Sequence, residues 1–135
     1  MSAIAPVTGT PFDFTRPTPI GARIQQIGGP TRGYDLAYLH NHPEGGMARV
    51  ATVHEPQSGR TMEVSTNEPA IVLYSGNYLD GSLRGKGGAA YGRHAGVCLE
   101  TGRPPDAVHH PHFPTTILRP GDVYRHICVY RFSTK

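Results

Sequence analysis

The sequence predicts an all-β chain, an antiparallel β-sandwich, on three observations. Apolar runs of strand length recur at short intervals, turn residues stand between them, and no segment keeps a helical period over ten residues. The 17 glycines and 13 prolines among 135 residues are too many for a helical bundle and in proportion for a β-rich chain with many turns. A hydrophobic content of 37% supplies a modest core.

Each element follows from local pattern. Residues 1–30 read as extended, turn-rich chain, because Pro11, Pro17, Pro19 and Pro30 each bias the residue before them away from helix. The stretch 20–27 contains Gly21 and runs into Gly28-Gly29, so it forms one short turn at most. A strand is predicted over 47–54, then a hairpin connection at Glu55-Pro56-Gln57-Ser58-Gly59. The strand over 60–66 alternates, with Met62 and Val64 on one face and Thr61, Glu63 and Ser65 on the other. Residues 71–74 are continuously apolar, as in a strand buried on both faces. The Gly-rich stretch 76–92 fits neither period. Further strands are predicted over 95–101, 115–118 and 123–132, the last with Tyr124, His126, Cys128, Tyr130 and Phe132 sharing a face.

Composition narrows the function classes. The net charge of +3 comes from scattered basic residues, so nucleic acid is not expected as a partner. There is no apolar run of membrane-spanning length and no charged-then-apolar leader, so no membrane span or secretory signal is expected. Cys98 and Cys128 sit in apolar runs and read as buried free thiols of a cytoplasmic protein.

Several residues could carry chemistry. His40-Asn41-His42 with Glu44 and His126 is the outline of a metal-binding, cupin-like barrel. Glu44 follows His42 too closely, however, and Pro43 interrupts the strand, so polar loop histidines are the better reading. His109-His110-Pro111-His112 reads the same way. Gly85-Lys86-Gly87-Gly88 lacks the strand and helix that aim a phosphate loop. Cys98, between Val97 and Leu99, reads as a packed thiol rather than a nucleophile. Glu100 ends a strand before a Pro-rich loop, where its carboxylate either projects into a cleft or meets solvent. Asp35 has the ordinary reading of a turn aspartate.

Motif context changes the weight of the last two. Val97-Cys98-Leu99-Glu100-Thr101 followed by Pro105-Asp106-Ala107-Val108-His109-His110-Pro111-His112-Phe113-Pro114 resembles the aldose 1-epimerase signature. That family has a Cys-Leu-Glu-Thr run leading into Pro-Asp-Ala-x-Asn-x-Pro-x-Phe-Pro. Thr8-Gly9-Thr10-Pro11-Phe12-Asp13-Phe14, Gly33-Tyr34-Asp35, Tyr74-Ser75-Gly76-Asn77-Tyr78-Leu79-Asp80-Gly81 and Leu118-Arg119-Pro120-Gly121-Asp122-Val123-Tyr124 resemble further family blocks in the same order.

The resemblance implies a galactose-mutarotase-like β-supersandwich, of which residues 1–135 form the C-terminal portion, the N-terminal strands being absent. It implies conversion of α- to β-anomers of an aldohexose such as galactose or glucose, with Glu100 as catalytic base and Asp35 binding sugar hydroxyls. It implies no metal and no organic cofactor. The family's acid is a histidine in an upstream Asn-His-Ser-Tyr-Phe-Asn-like segment, and that segment does not occur in these residues. Three positions depart from the pattern: Val72 stands where the family often has a sugar-contacting Gln, Leu36-Ala37 follow Asp35 in place of His-Asn, and Gly102 replaces the Gln after Glu-Thr. Expected partners beyond the sugar are a separate N-terminal portion or a second copy. The alternative is a non-catalytic, truncated remnant that binds sugar or a partner.

Overall fold

The computed structural model describes residues 3–30, 32–42 and 46–135. Pro43 and Glu44 of the metal reading, and Met1, lie outside the described residues. The elements are β1 (Asp35–Leu39), β2 (Ala48–His54), β3 (Arg60–Thr66), β4 (Ala70–Tyr74), β5 (Cys98–Gly102) and β6 (Cys128–Thr134), with single-turn 3-10 segments at Ile20–Ala22 and Ile24–Gln26 before β1, at Lys86–Gly88 between β4 and β5, and at Ala107–His109 between β5 and β6. The predicted all-β class holds. One three-stranded sheet runs β1-β4-β5 and the other β2-β3-β6. Among the described residues no helix is long and apolar enough to cross a membrane.

By internal contacts the chain divides into two compact units. The first contains residues 37–71 and 99–135, the second residues 3–36 and 72–98.

The first unit is organised by β3. It pairs antiparallel with β2, in a register that slips once between Arg49 and Ala51, and with β6 over seven consecutive pairs from Arg60–Thr134 to Thr66–Cys128. A central strand has both edges satisfied, so its side chains carry the burial: Val64 and Thr66 are fully inaccessible. Burying a valine stabilises by roughly 1.5–3 kcal/mol. Thr61, on the face opposite Met62 and Val64, is buried as well, its hydroxyl satisfied by His54 Nδ1 at 3.0 Å beside the hairpin.

That hairpin forms where the sequence places it. Glu55 accepts backbone hydrogen bonds from Gln57 at 2.9 Å and Ser58 at 2.8 Å; the Ser58 hydroxyl bond leads the effects that hold its carboxyl below the usual range. Gly59 has φ +70°, and a Cβ there would overlap the carbonyl oxygen of Lys135. The left-handed backbone is also strained for any residue with a Cβ. Gly59→Ala is therefore expected to cost about 1–2 kcal/mol, read as an earlier urea midpoint; an unchanged midpoint would contradict the strain argument.

Several sequence expectations need correction. The strand over 123–132 begins only at Cys128, because β3 ends at Thr66 and the ladder stops with it. Asn67 takes over there: its side-chain amide donates to the Arg125 carbonyl at 2.8 Å and accepts from the Ile127 N–H at 2.7 Å. Residues 115–118 make no strand, since the Thr115 carbonyl is taken by Arg103 and the Ile117 N–H by Thr115 Oγ1. β5 starts at Cys98 rather than at 95, because a turn closes from Gly92 to Ala95 through His94 at φ +63°. The cysteines are free but not buried, with Cys98 exposed and Cys128 intermediate. β1 was not predicted from pattern: five residues with no alternation give too weak a period. In β4, Ile71 and Leu73 are buried while Val72 and Tyr74 are only half-buried, so its two faces are unequal.

Candidate active-site residues

In the second unit, three of the motif blocks converge on Tyr34, which is fully buried. Phe14 and Phe12 meet its ring edge-on at centroid distances of 5.1 and 6.3 Å, and its hydroxyl donates to the Pro11 carbonyl at 3.0 Å. Burial pushes the phenol above its ordinary value. Its backbone is clamped on both sides: the N–H donates to Ser75 Oγ at 2.9 Å, and the carbonyl accepts from Asn77 Nδ2 at 2.8 Å. Ser75 Oγ in turn donates to Asn77 Oδ1 at 2.6 Å. These are buried polar groups whose hydrogen bonds satisfy one another, the condition under which such a network rigidifies its surroundings. Asp35, the next residue, opens β1 with its carboxylate exposed. The motif residues before it are therefore scaffold, and Asp35 is the polar group they deliver to the surface.

His94 belongs to this unit. Its Nδ1 lies 2.7 Å from the Ser75 carbonyl, which can only accept, so Nδ1 carries the proton. It borders a mainly apolar cleft of about 400 Å³ formed with Ile20, Ile24, Ala95 and Val97, and no carboxylate lines that cleft.

In the first unit, Glu100 is exposed near the middle of β5. Its neighbours are held from both sides by the C-terminal segment. Tyr130 donates its hydroxyl to the Leu99 carbonyl at 2.8 Å, and Thr101 Oγ1 lies 2.8 Å from His126 Nε2. Successive strand residues point to opposite faces, so the His126 ring bonded to Thr101 stands across β5 from the Glu100 side chain.

One residue past β5, Arg103 places Nε 3.6 Å from Glu68 Oε2, directs Nη1 to the Thr115 carbonyl, and sets its guanidinium 5.8 Å from the Tyr124 ring centroid. The Glu68 side chain is only 2% exposed, and its Oε2 accepts no hydrogen bond. Glu68 acts on Tyr124 too: hydrogen bonding to its carboxylate, then burial, raises the Tyr124 phenol above its usual range.

The histidines are accounted for locally. His40 Nε2 faces the Glu68 carbonyl and so must donate, which leaves Nδ1 to accept from the His42 N–H at 3.3 Å. Neither nitrogen of His40 is free for a metal. His109 and His110 both turn onto Asp106, the second at 3.3 Å; the His109 hydrogen bond, helped by the charge of both rings, holds that carboxyl below its ordinary value. Among the described residues no group of three or more His, Cys, Asp or Glu side chains is placed to hold a metal ion. Gly85-Lys86-Gly87-Gly88 is a tight turn closed by Gly85 N–H to the Ala89 carbonyl, with no helix behind it.

Motif order found Asp35 and Glu100, but not the groups that hold the residues on either side of Glu100. Tyr130 and His126 reach β5 across sequence separations of 31 and 25 residues, Glu68 meets Arg103 just beyond its end, and nothing in local periodicity reports such pairing. A charge between two apolar strands, in Asn67-Glu68-Pro69, was the one available hint.

Comparison with known proteins agrees with the motif order. The profile of the aldose 1-epimerase family matches residues 1–131. The galactose mutarotases of Homo sapiens and Bos taurus are each 44% identical over 133 residues, covering 96% of this chain and 37% of the relative. The aldose 1-epimerase of Escherichia coli (strain K12) is 32% identical over 130 residues, covering 93% of this chain and 37% of its own length. The chain thus spans little more than a third of the curated relatives it matches. A match along nearly its whole length, in profile and in individual relatives, shows that the chain belongs to the aldose 1-epimerase family.

Proposed function

We propose that the chain is the C-terminal portion of an aldose 1-epimerase domain and contributes the base half of an acid–base site that interconverts the anomers of an aldohexose. Interconversion needs the C1 hydroxyl proton removed while the C1–O5 bond breaks and the ring oxygen gains a proton. Rotation about C1–C2 and reversal of both transfers then close the ring on the other face. Glu100 takes the C1 hydroxyl proton. Asp35 accepts hydrogen bonds from sugar hydroxyls, a task for which a charged acceptor is stronger than a neutral one. The general acid comes from polypeptide beyond these 135 residues, joined to the chain or bound to it. The two free thiols support a cytoplasmic placement.

The observation that carries this reading is the setting of Glu100: an exposed carboxylate on a strand whose adjacent residues are both hydrogen-bonded in place. Polarimetry of freshly dissolved α-galactose and α-glucose tests it. The chain alone is expected to leave the rate at that of buffer. Joined to the N-terminal two-thirds of a family relative, it is expected to accelerate mutarotation. A stable joined protein that binds sugar without acceleration would instead favour the non-catalytic reading.

A further inference from the structure

We propose that Arg103 is a positioning residue for the Glu100 carboxylate, acting through the buried Glu68 and the Tyr124 ring. The inference rests on reading Glu100 as the base, and concerns what aims it. β5 ends at Gly102, which has no side chain to anchor the strand's exit. The first anchoring side chain after it is Arg103, and its three contacts lead to three separate stretches: Glu68 in the β3–β4 connection, Thr115, and Tyr124. Together with the Tyr130 contact at Leu99 and the His126 contact at Thr101, they fix β5 on each side of Glu100 and at its end.

Glu68 makes the anchor directional. With 2% of its side chain exposed, and one oxygen without a hydrogen bond, its charge is compensated chiefly by the guanidinium 3.6 Å away. Glu68 is the buried partner and Arg103, with 35% of its side chain exposed, the accessible one, so removing the cation leaves a buried carboxylate without its ion-pair partner. The guanidinium carbon lies over the Tyr124 ring, 5.8 Å from its centroid, and the Thr115 carbonyl uses a second N–H. A lysine can reach one of these groups but cannot serve all three, since it has neither the planar face nor the fork.

The test uses the whole 135-residue chain with 13C-labelled glutamate, following the Glu100 side-chain carboxyl signal, assigned by its loss in Glu100→Gln. In Arg103→Met that signal is expected to move, while the amides of Thr52 and Val64 keep their positions. Arg103→Lys should restore the Glu100 signal only in part. The Glu68→Gln/Arg103→Met double variant should move it no further than the larger single change. An unmoved Glu100 carboxyl signal in a folded Arg103→Met, full restoration of the signal by Arg103→Lys, or strictly additive effects in the double variant would overturn the proposal. Should Arg103→Met fail to fold, Tyr124→Phe keeps the ring and removes the hydroxyl facing Glu68; there a displaced Glu100 signal supports the proposal and an unmoved one defeats it. Mutarotation retained by Glu100→Gln in the protein joined to the N-terminal two-thirds of a relative would refute the base assignment alone, whereas the Glu100 carboxyl signal of the 135-residue chain decides the role of Arg103.

Discussion

Glu100→Gln in the joined, active protein is expected to lower kcat by roughly 10²–10⁴-fold, the range for loss of one general acid–base group, with KM little changed. Glutamine has the size and much of the hydrogen-bonding capacity of glutamate, but it cannot take a proton from the C1 hydroxyl. Glu100 is exposed, and its neighbours Leu99 and Thr101 are held by Tyr130 and His126 without help from its side chain. The substitution should therefore leave the melting temperature unchanged, which separates a chemical effect from a structural one. Asp35→Asn provides the contrast. A neutral acceptor replaces a charged one, so KM should rise by about tenfold, corresponding to ~1.4 kcal/mol of lost charge-assisted bonding, with a smaller effect on kcat. Polarimetry over a range of sugar concentrations resolves the two. Equal rates for Glu100→Gln and the parent would end the base assignment.

Gly33→Ala should be the most damaging single methyl in the second unit. Gly33 needs no unusual backbone angle; what it lacks is room. A Cβ there would overlap Asn77 Oδ1 and stand 2.8 Å from Asn77 Cγ and 2.9 Å from Ser75 Oγ. Flexible surface side chains would yield, but Ser75 and Asn77 are 2% and 3% exposed and are tied to each other and to both sides of the Tyr34 peptide. Moving either breaks buried hydrogen bonds, and each orphaned group costs about 1–3 kcal/mol. A loss of about 3–4 kcal/mol follows, a large share of the stability of an ordinary domain. Denaturant unfolding measures it, and a midpoint indistinguishable from the parent would show that the Ser75–Asn77 pair is softer than its burial implies. Because Asp35 follows Tyr34 directly, the surviving folded fraction should also bind sugar more weakly.

The two substitutions divide the sequence information in the same way the molecule does. Glu100 and Asp35 were legible because ordered motif blocks surround them; strand periodicity alone left both as ordinary surface carboxylates. The strands at 48–54, 60–66 and 70–74 were legible from alternation, apolar runs and the hairpin turn, all effects of neighbouring residues. The errors fall where partners are distant. Val123 to Ile127 alternates as well as the six residues after it, yet forms no strand, because β3 has ended and Asn67 supplies its hydrogen bonds instead. Cys98 sits between apolar residues yet is exposed, because exposure depends on what covers its face of β5 and not on its neighbours in sequence.

By itself, then, the sequence determined the all-β class, the family and the two candidate carboxylates, since these depend on local period and on residues fixed in order along the chain. Only the tertiary structure decided that Gly33, Ser75 and Asn77 form the frame behind Asp35, that His126 lies across the strand from Glu100, and that a buried Glu68 waits at the end of Arg103. Those facts depend on which segments pair and which atoms are shut off from water, and such pairings leave no periodic trace in the chain.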